Sequence, residues 1–193
     1  MVHLVYCDDK KKIMKIFLII IVAIVILLAC LYAYYGGLKK VEIKIQNQGG
    51  ETIIYESVIG DYNQTPKYTD KVYYDLLNNE GIETTKGIGI FYDNPKNVDK
   101  NKLRSDVGCV LDDADNTVIA KISGKYQIKT LPEGNYIYAE FPMKGSVSFI
   151  IGIMKVYPTL NAYCEKHGYK DSPITEIYDV PNKKIIYRKL AVE

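Results

Sequence analysis

The chain has 193 residues and a formal net charge of +2, with acids and bases interspersed and Arg104 and Arg188 as its arginines, so it carries no nucleic-acid footprint. Its histidines are His3 and His167, and Cys7, Cys30, Cys109 and Cys164 show no metal spacing, so no Ser-His-Asp or zinc set can be assembled and no cofactor motif stands out. Residues 1–15 form a basic tail holding Lys10, Lys11, Lys12 and Lys15. From Ile16 to Tyr35 no residue is charged, a run long enough to cross a ~30 Å hydrocarbon core. Tyr32, Tyr34 and Tyr35 fall where an interfacial aromatic belt belongs, and the lysines ahead of the run favour a cytoplasmic N-terminus with the rest extracytoplasmic. A single-pass anchor competes with a lipoprotein reading. In that reading translation starts at Met14 and Leu27-Leu28-Ala29-Cys30 acts as a lipobox, with Cys30 lipidated. Gly36-Gly37 is the hinge between this run and the remainder of the chain.

After the anchor, residues 38–193 have the length of one domain, about 155 residues, enough to bury a core without disulfides. Val41 to Gln46 alternates apolar and polar as a strand does, Asn47 to Gly50 is a turn, and Thr52 to Ile59 is the next strand. Thr65 caps a helix with Pro66 at its first position; Tyr68, Val72 and Leu76 share a face, and Gly81 stops it. Strands come next at Ile88 to Tyr92 and Asp106 to Leu111. Asp112 to Thr117 is a turn, whose Asp112, Asp113 and Asp115 lack the Gly and Glu that an EF-hand loop requires. Val118 to Ile122 forms a short helix. Strands at Tyr126 to Leu131 and Tyr136 to Phe141 precede a helix from Ser146 to His167 with the stripe Phe149, Ile153, Val156, Leu160 and Tyr163. Strands at Ile174 to Tyr178 and Lys184 to Leu190 close the series.

The chain repeats itself. Gly89-Ile90-Phe91-Tyr92-Asp93-Asn94-Pro95 returns as Thr175-Glu176-Ile177-Tyr178-Asp179-Val180-Pro181, and Glu56 to Gly60 aligns with Glu140 to Gly145 with one residue of slack. Self-similarity at a long fixed spacing marks a duplicated unit. Two strand–helix–strand–strand copies, about 41–112 and 126–190, give an α+β domain with a concave seam between them, a natural ligand site.

Together with Lys102-Leu103-Arg104-Ser105-Asp106-Val107-Gly108, Val156-Tyr157-Pro158-Thr159-Leu160 and Glu176-Ile177-Tyr178, this pattern resembles the GyrI-like small-molecule-binding superfamily. It is most similar to the membrane-anchored branch that includes the testis-expressed ER-phagy receptor. The resemblance implies a duplicated fold and a pocket acid in the second repeat, matched here by Glu176. Alternation puts Ile174, Glu176 and Tyr178 on one sheet face, with Ile88, Ile90 and Tyr92 as first-repeat equivalents. Gly60-Asp61-Tyr62 resembles the family's Gly-x-Tyr turn. Glu176, Tyr178, Tyr92 and Tyr62 are thus the expected ligand-binding residues. A carboxylate ringed by tyrosines suits an apolar, cationic ligand through charge and cation–π contact. Two alternatives stay open: a hydrolase of strained cyclopropyl compounds using the pocket Glu, and a protein-interaction adaptor. Cys109 and Cys164 stand either as a pair or as buried thiols.

Overall fold

The structure is a computed structural model that describes residues 2–111 and 116–192. The aspartate set Asp112, Asp113 and Asp115 lies outside the described residues. Two compact units are present, residues 1–39 and 40–193.

The first unit is a single helix, α1 (Val2–Tyr34), which runs on through the lysine cluster that the sequence suggests as a separate tail. Its segment Lys12–Tyr34 contains an 18-residue window with a mean hydropathy of 3.3 and is long and apolar enough to cross a membrane by length and composition. Gly36 and Gly37 cap the helix. Gly36 has a φ of 92°, the left-handed conformation that favours glycine, and the Gly37 amide donates to the Tyr32 carbonyl at 2.8 Å.

Among the described residues, the second unit is one antiparallel sheet of eight strands carrying three α-helices. The strands are β1 (Lys44–Gln48), β2 (Thr52–Ile59), β3 (Lys86–Phe91), β4 (Arg104–Leu111), β5 (Gln127–Thr130), β6 (Gly134–Pro142), β7 (Ile174–Asp179) and β8 (Lys184–Leu190). The helices are α2 (Thr65–Asp75), α3 (Asn116–Ile122) and α4 (Ser146–His167). The strand order is β1-β6-β8-β7-β3-β4-β2-β5. The duplicated halves are therefore β2-α2-β3-β4 and β6-α4-β7-β8, joined where β3 pairs with β7, with β1 and β5 added at the edges. Thr65 is inside α2 rather than capping it; its hydroxyl donates to the Tyr62 carbonyl at 2.8 Å.

Consecutive strands β1 and β2 lie at opposite ends of this order, and so do β5 and β6. Each pair is joined by only three residues, 49–51 and 131–133. Such a connection spans at most about 14 Å, so the two ends of the sheet must curl toward each other. The connectors are stitched together: Gly50 N–H donates to Leu131 O at 3.0 Å and Leu131 N–H to Glu51 O at 2.9 Å.

Curling gives the sheet an outer face, which carries the helices, and an enclosed face that covers itself. On the outer face Ile54, Cys109 and Leu111 pack under Val72 and Leu76, with Ile122 of α3. On the enclosed face Ile53, Ile88, Ile90, Val110, Leu131 and Ile177 form a second core. Arg188 is buried there. Its guanidinium donates to both carboxylate oxygens of Glu51, at 2.9 and 2.8 Å, and to Gln48 at 3.1 Å, and lies 4.5 Å from the centre of the Tyr136 ring. One side chain from the middle of the sheet thus ties down the β1–β2 connector.

The β3–β7 ladder corrects the sequence alignment of the repeats. Gly89 lies opposite Glu176 and Gly87 opposite Tyr178, whereas Ile88 and Ile90 face Ile177 and Thr175 on the enclosed side. Equivalent residues share a face, so the true offset differs from that of the shared Tyr-Asp-x-Pro motif by an odd number of residues. A one-residue slip exchanges faces, because side chains alternate. The motif itself serves the loops: Asp93 accepts from the Arg104 amide at 2.8 Å, and Asp179 accepts from the Asn182 amide at 3.2 Å. Glu56 and Glu140 are likewise not equivalent. Glu56 pairs with Lys71 of α2 on the outer face, while Glu140 pairs with Lys184 and lies opposite Ile186 on the enclosed one.

Candidate functional site: a groove over the repeat seam

On the outer face α2 and α4 flank the β3–β7 seam and leave a groove of about 1690 Å³ between them. The two repeats contribute different things to its floor. β3 contributes glycines, and therefore room: a Cβ on Gly87 would come within 3.1 Å of the Tyr178 ring and 3.5 Å of the Thr69 methyl. β7 contributes chemistry. Glu176 is 2% exposed; its Oε1 accepts from the Tyr157 hydroxyl at 2.6 Å and its Oε2 from the Tyr178 hydroxyl at 2.7 Å. Among the described residues these two neutral donors are its hydrogen-bond partners.

Burial pushes the Glu176 carboxyl above its ordinary range, and the two hydroxyl bonds only partly oppose it. Burial, followed by the neighbouring Glu176 charge, holds both tyrosine hydroxyls far above their usual range, so they remain donors. The site is thus a desolvated carboxyl whose proton affinity is raised and whose orientation is fixed.

The walls are apolar. Phe149 of α4 meets Tyr178 edge to face with ring centres 5.4 Å apart. Ile150 and Met154 also line the groove and are 61% and 71% exposed, an unusual state for large apolar side chains. α4 therefore has two apolar faces. Ser148, Ile151, Gly152, Val156, Leu160 and Cys164 are its buried residues, while Phe149 and Ile153 from the expected stripe line the groove. Around the lining, carboxylates outnumber lysines seven to four.

Gly152 sets the height of α4. A Cβ there would lie 2.3 Å from the Tyr187 hydroxyl on β8, closer than atoms can approach. Gly152→Ala should therefore lift the helix and loosen the Tyr157–Glu176 bond. The expected cost is about 1–3 kcal/mol of stability, read by chemical denaturation. An unchanged midpoint would show that Tyr187 can move aside.

Of the four residues expected from sequence, Glu176 and Tyr178 are brought together. Tyr92 borders the groove, but its hydroxyl donates to Asp106 at 2.6 Å and receives Lys129 at 3.0 Å, beside Ser57, which donates to Asp106 at 2.7 Å. Tyr62 also lines the groove; its ring packs on Phe91 with centres 4.8 Å apart and its hydroxyl receives the Asp93 amide at 3.0 Å. Sequence reasoning missed Tyr157. Its signal was the spacing from Phe149 and Ile153, which continues one helical row at i+4. Cys109 and Cys164 are separate buried thiols.

A family model described as the GyrI-like small molecule binding domain matches residues 42–187. The testis-expressed protein 264 homolog of Mus musculus is 25% identical over 134 residues, which cover 66% of this chain and 41% of that protein. The chain thus spans less than half the length of that relative. Among solved structures, the C-terminal domain of EcmrR aligns with a TM-score of 0.54 at 12% identity, over 78% of this chain and 96% of that one. A conserved protein from Listeria innocua aligns with a TM-score of 0.51 at 12% identity, over 79% and 93%. At these identities the two structures show a shared fold.

Proposed function

This chain belongs to the GyrI-like small-molecule-binding family, and from that premise we propose that its groove receives a small, largely apolar, cationic molecule. Glu176 supplies the counter-charge, Tyr157 and Tyr178 fix its orientation, and Phe149 with the exposed aliphatic residues of α4 forms the wall. Tyr62 and Tyr92 form the rim. The observation that carries this reading is the pairing of Glu176 with two neutral hydroxyls. A carboxylate buried without a cation is costly, and a ligand cation would relieve that cost.

The test uses full-length protein in detergent and two probes of one shape: an aryl-alkyl trimethylammonium and its tert-butyl isostere. The cation should raise the melting temperature, by about 2.7 kcal/mol of stabilisation at 100 times its dissociation constant, and the neutral probe far less. Equal effects, or none, would remove the counter-ion role of Glu176. Consumption of a probe, abolished by Glu176→Gln, would move the protein to the hydrolase class.

The same proposal holds the domain at a membrane through Lys12–Tyr34. After cell fractionation the full chain should resist carbonate extraction, and a version lacking residues 1–37 should be soluble and folded. A full chain that washes off, or an unfolded truncation, would overturn the reading of an anchor plus an independent domain.

A further inference from the structure

The groove holds a second buried charge that the cation site does not use. Lys189 lies on β8, lines the groove, and is 4% exposed. Burying an ammonium group is costly unless it is well paired. Its ion-pair partner is Asp171, whose side chain is 91% exposed; Asn161 Oδ1 adds a contact at 3.4 Å. A carboxylate that remains almost wholly in water is a weak partner, and it is free to swing away at little cost.

The geometry relates this lysine to Glu176. Glu176 lies opposite Tyr187 and Thr175 opposite Arg188, so Lys189 is two residues beyond Glu176's neighbour and on the same face. Two residues along the strand and one strand across put the two Cα atoms about 8 Å apart. Asn161 and Ser172 line the groove near this end. On the first repeat's side the groove lining includes Cys109 and Thr84.

We propose that the groove is bipolar and selects a zwitterion: an apolar molecule whose cationic group sits at Glu176 and whose oxyanion, a carboxylate or a phosphate, displaces Asp171 from Lys189. The inference rests on the proposed cation binding at Glu176 and adds the second charge to it. Asp171 then acts as an exchangeable stand-in for the ligand's anion, which keeps Lys189 paired while the groove is empty.

The probes are an aryl-substituted quaternary ammonium bearing a carboxylate on a short alkyl arm, and the methyl ester of the same molecule, titrated calorimetrically into full-length protein in detergent. The carboxylate form should bind about tenfold or more tighter than the ester, the scale of one charge-assisted contact. Lys189→Gln should abolish that preference while leaving ester affinity unchanged, and Glu176→Gln should weaken both probes alike. Asp171→Asn, which keeps the side chain's shape and an oxygen acceptor for Lys189, should enlarge the preference by removing the competing anion. If Lys189→Gln fails to fold, the Asp171→Asn result decides alone: an enlarged preference supports the bipolar groove and an unchanged one overturns it. An ester that binds as tightly as the carboxylate in the native protein overturns the bipolar groove but leaves the cation site standing. Failure of both probes to bind overturns the two together.

Discussion

Replacing Glu176 by glutamine should raise the melting temperature of the ligand-free protein at neutral pH and weaken a lipophilic cation by about 1.5–3 kcal/mol, roughly 10- to 150-fold. The two effects share one cause. Burial holds the carboxyl above its ordinary 4.5 in the folded state. Between that value and the folded-state pKa, the native protein keeps a proton that the unfolded chain has released. Stability therefore falls as pH rises through this window, and the full deficit persists above it. Glutamine has nearly the same shape and still accepts a tyrosine hydroxyl, but carries no charge to desolvate. The gap in melting temperature between variant and native protein should narrow as pH is lowered toward 4.5. Cation affinity should fall over the same range, because protonation removes the counter-charge. A variant no more stable than the native protein at pH 7 would mean that the hydroxyl bonds fully offset burial. Equal loss of a cationic probe and its neutral isostere would mean that Glu176 only shapes the groove.

Glu51→Ala should be among the most damaging single changes away from the groove, at about 3–5 kcal/mol. It leaves the Arg188 guanidinium, 1% exposed, buried without its carboxylate. For a domain of this size that corresponds to a melting temperature lower by on the order of 10 °C. Adding Arg188→Met removes the stranded charge, so the double variant should recover part of the loss. A double variant as unstable as Glu51→Ala would place the damage in the connector backbone instead. The pH behaviour is opposite to that of Glu176. Burial alone would raise the Glu51 carboxyl, but the hydrogen bond and charge of Arg188, with smaller help from a backbone amide and the Lys86 charge, outweigh it and hold the group below 4.5. Its contribution is therefore present above 4.5 and is lost as pH falls through the lowered value.

Much of the fold was legible because local signals agreed. Thr52–Ile59, Ser146–His167 and Lys184–Leu190 have the same limits in the sequence reading and in the structure; Gly punctuates both ends of the first two, and Pro181-Asn182 precedes the third. The site was legible only in its second repeat. The shared Tyr-Asp-x-Pro motif begins beyond β3 in the first repeat and inside β7 in the second, so the alignment it fixed is out of step with the faces of the strands. That mismatch carries the first-repeat partners of Glu176 from isoleucines to glycines, and glycine has no side chain to announce a cavity. Tyr157 was hidden because α4 is apolar toward both the sheet and the groove, so periodicity alone could not tell its two faces apart. The curl of the sheet was not legible either, since it depends on β1 finding β6.

That pairing dictates when the domain can be finished. β1 is made before the first repeat, yet Lys44 joins Tyr138, more than ninety positions later, and β6 gains its other neighbour only with β8. The first repeat can assemble β2, β3 and β4 around α2 as soon as it leaves the ribosome. β1 has to wait, unpaired, until β6 has been made. Long waits for distant partners make folding slow and leave strand edges open to wrong neighbours in the meantime. Pulse-labelled hydrogen exchange during refolding should find the amides of β2–β4 protected early and those of Lys44–Gln48 protected last.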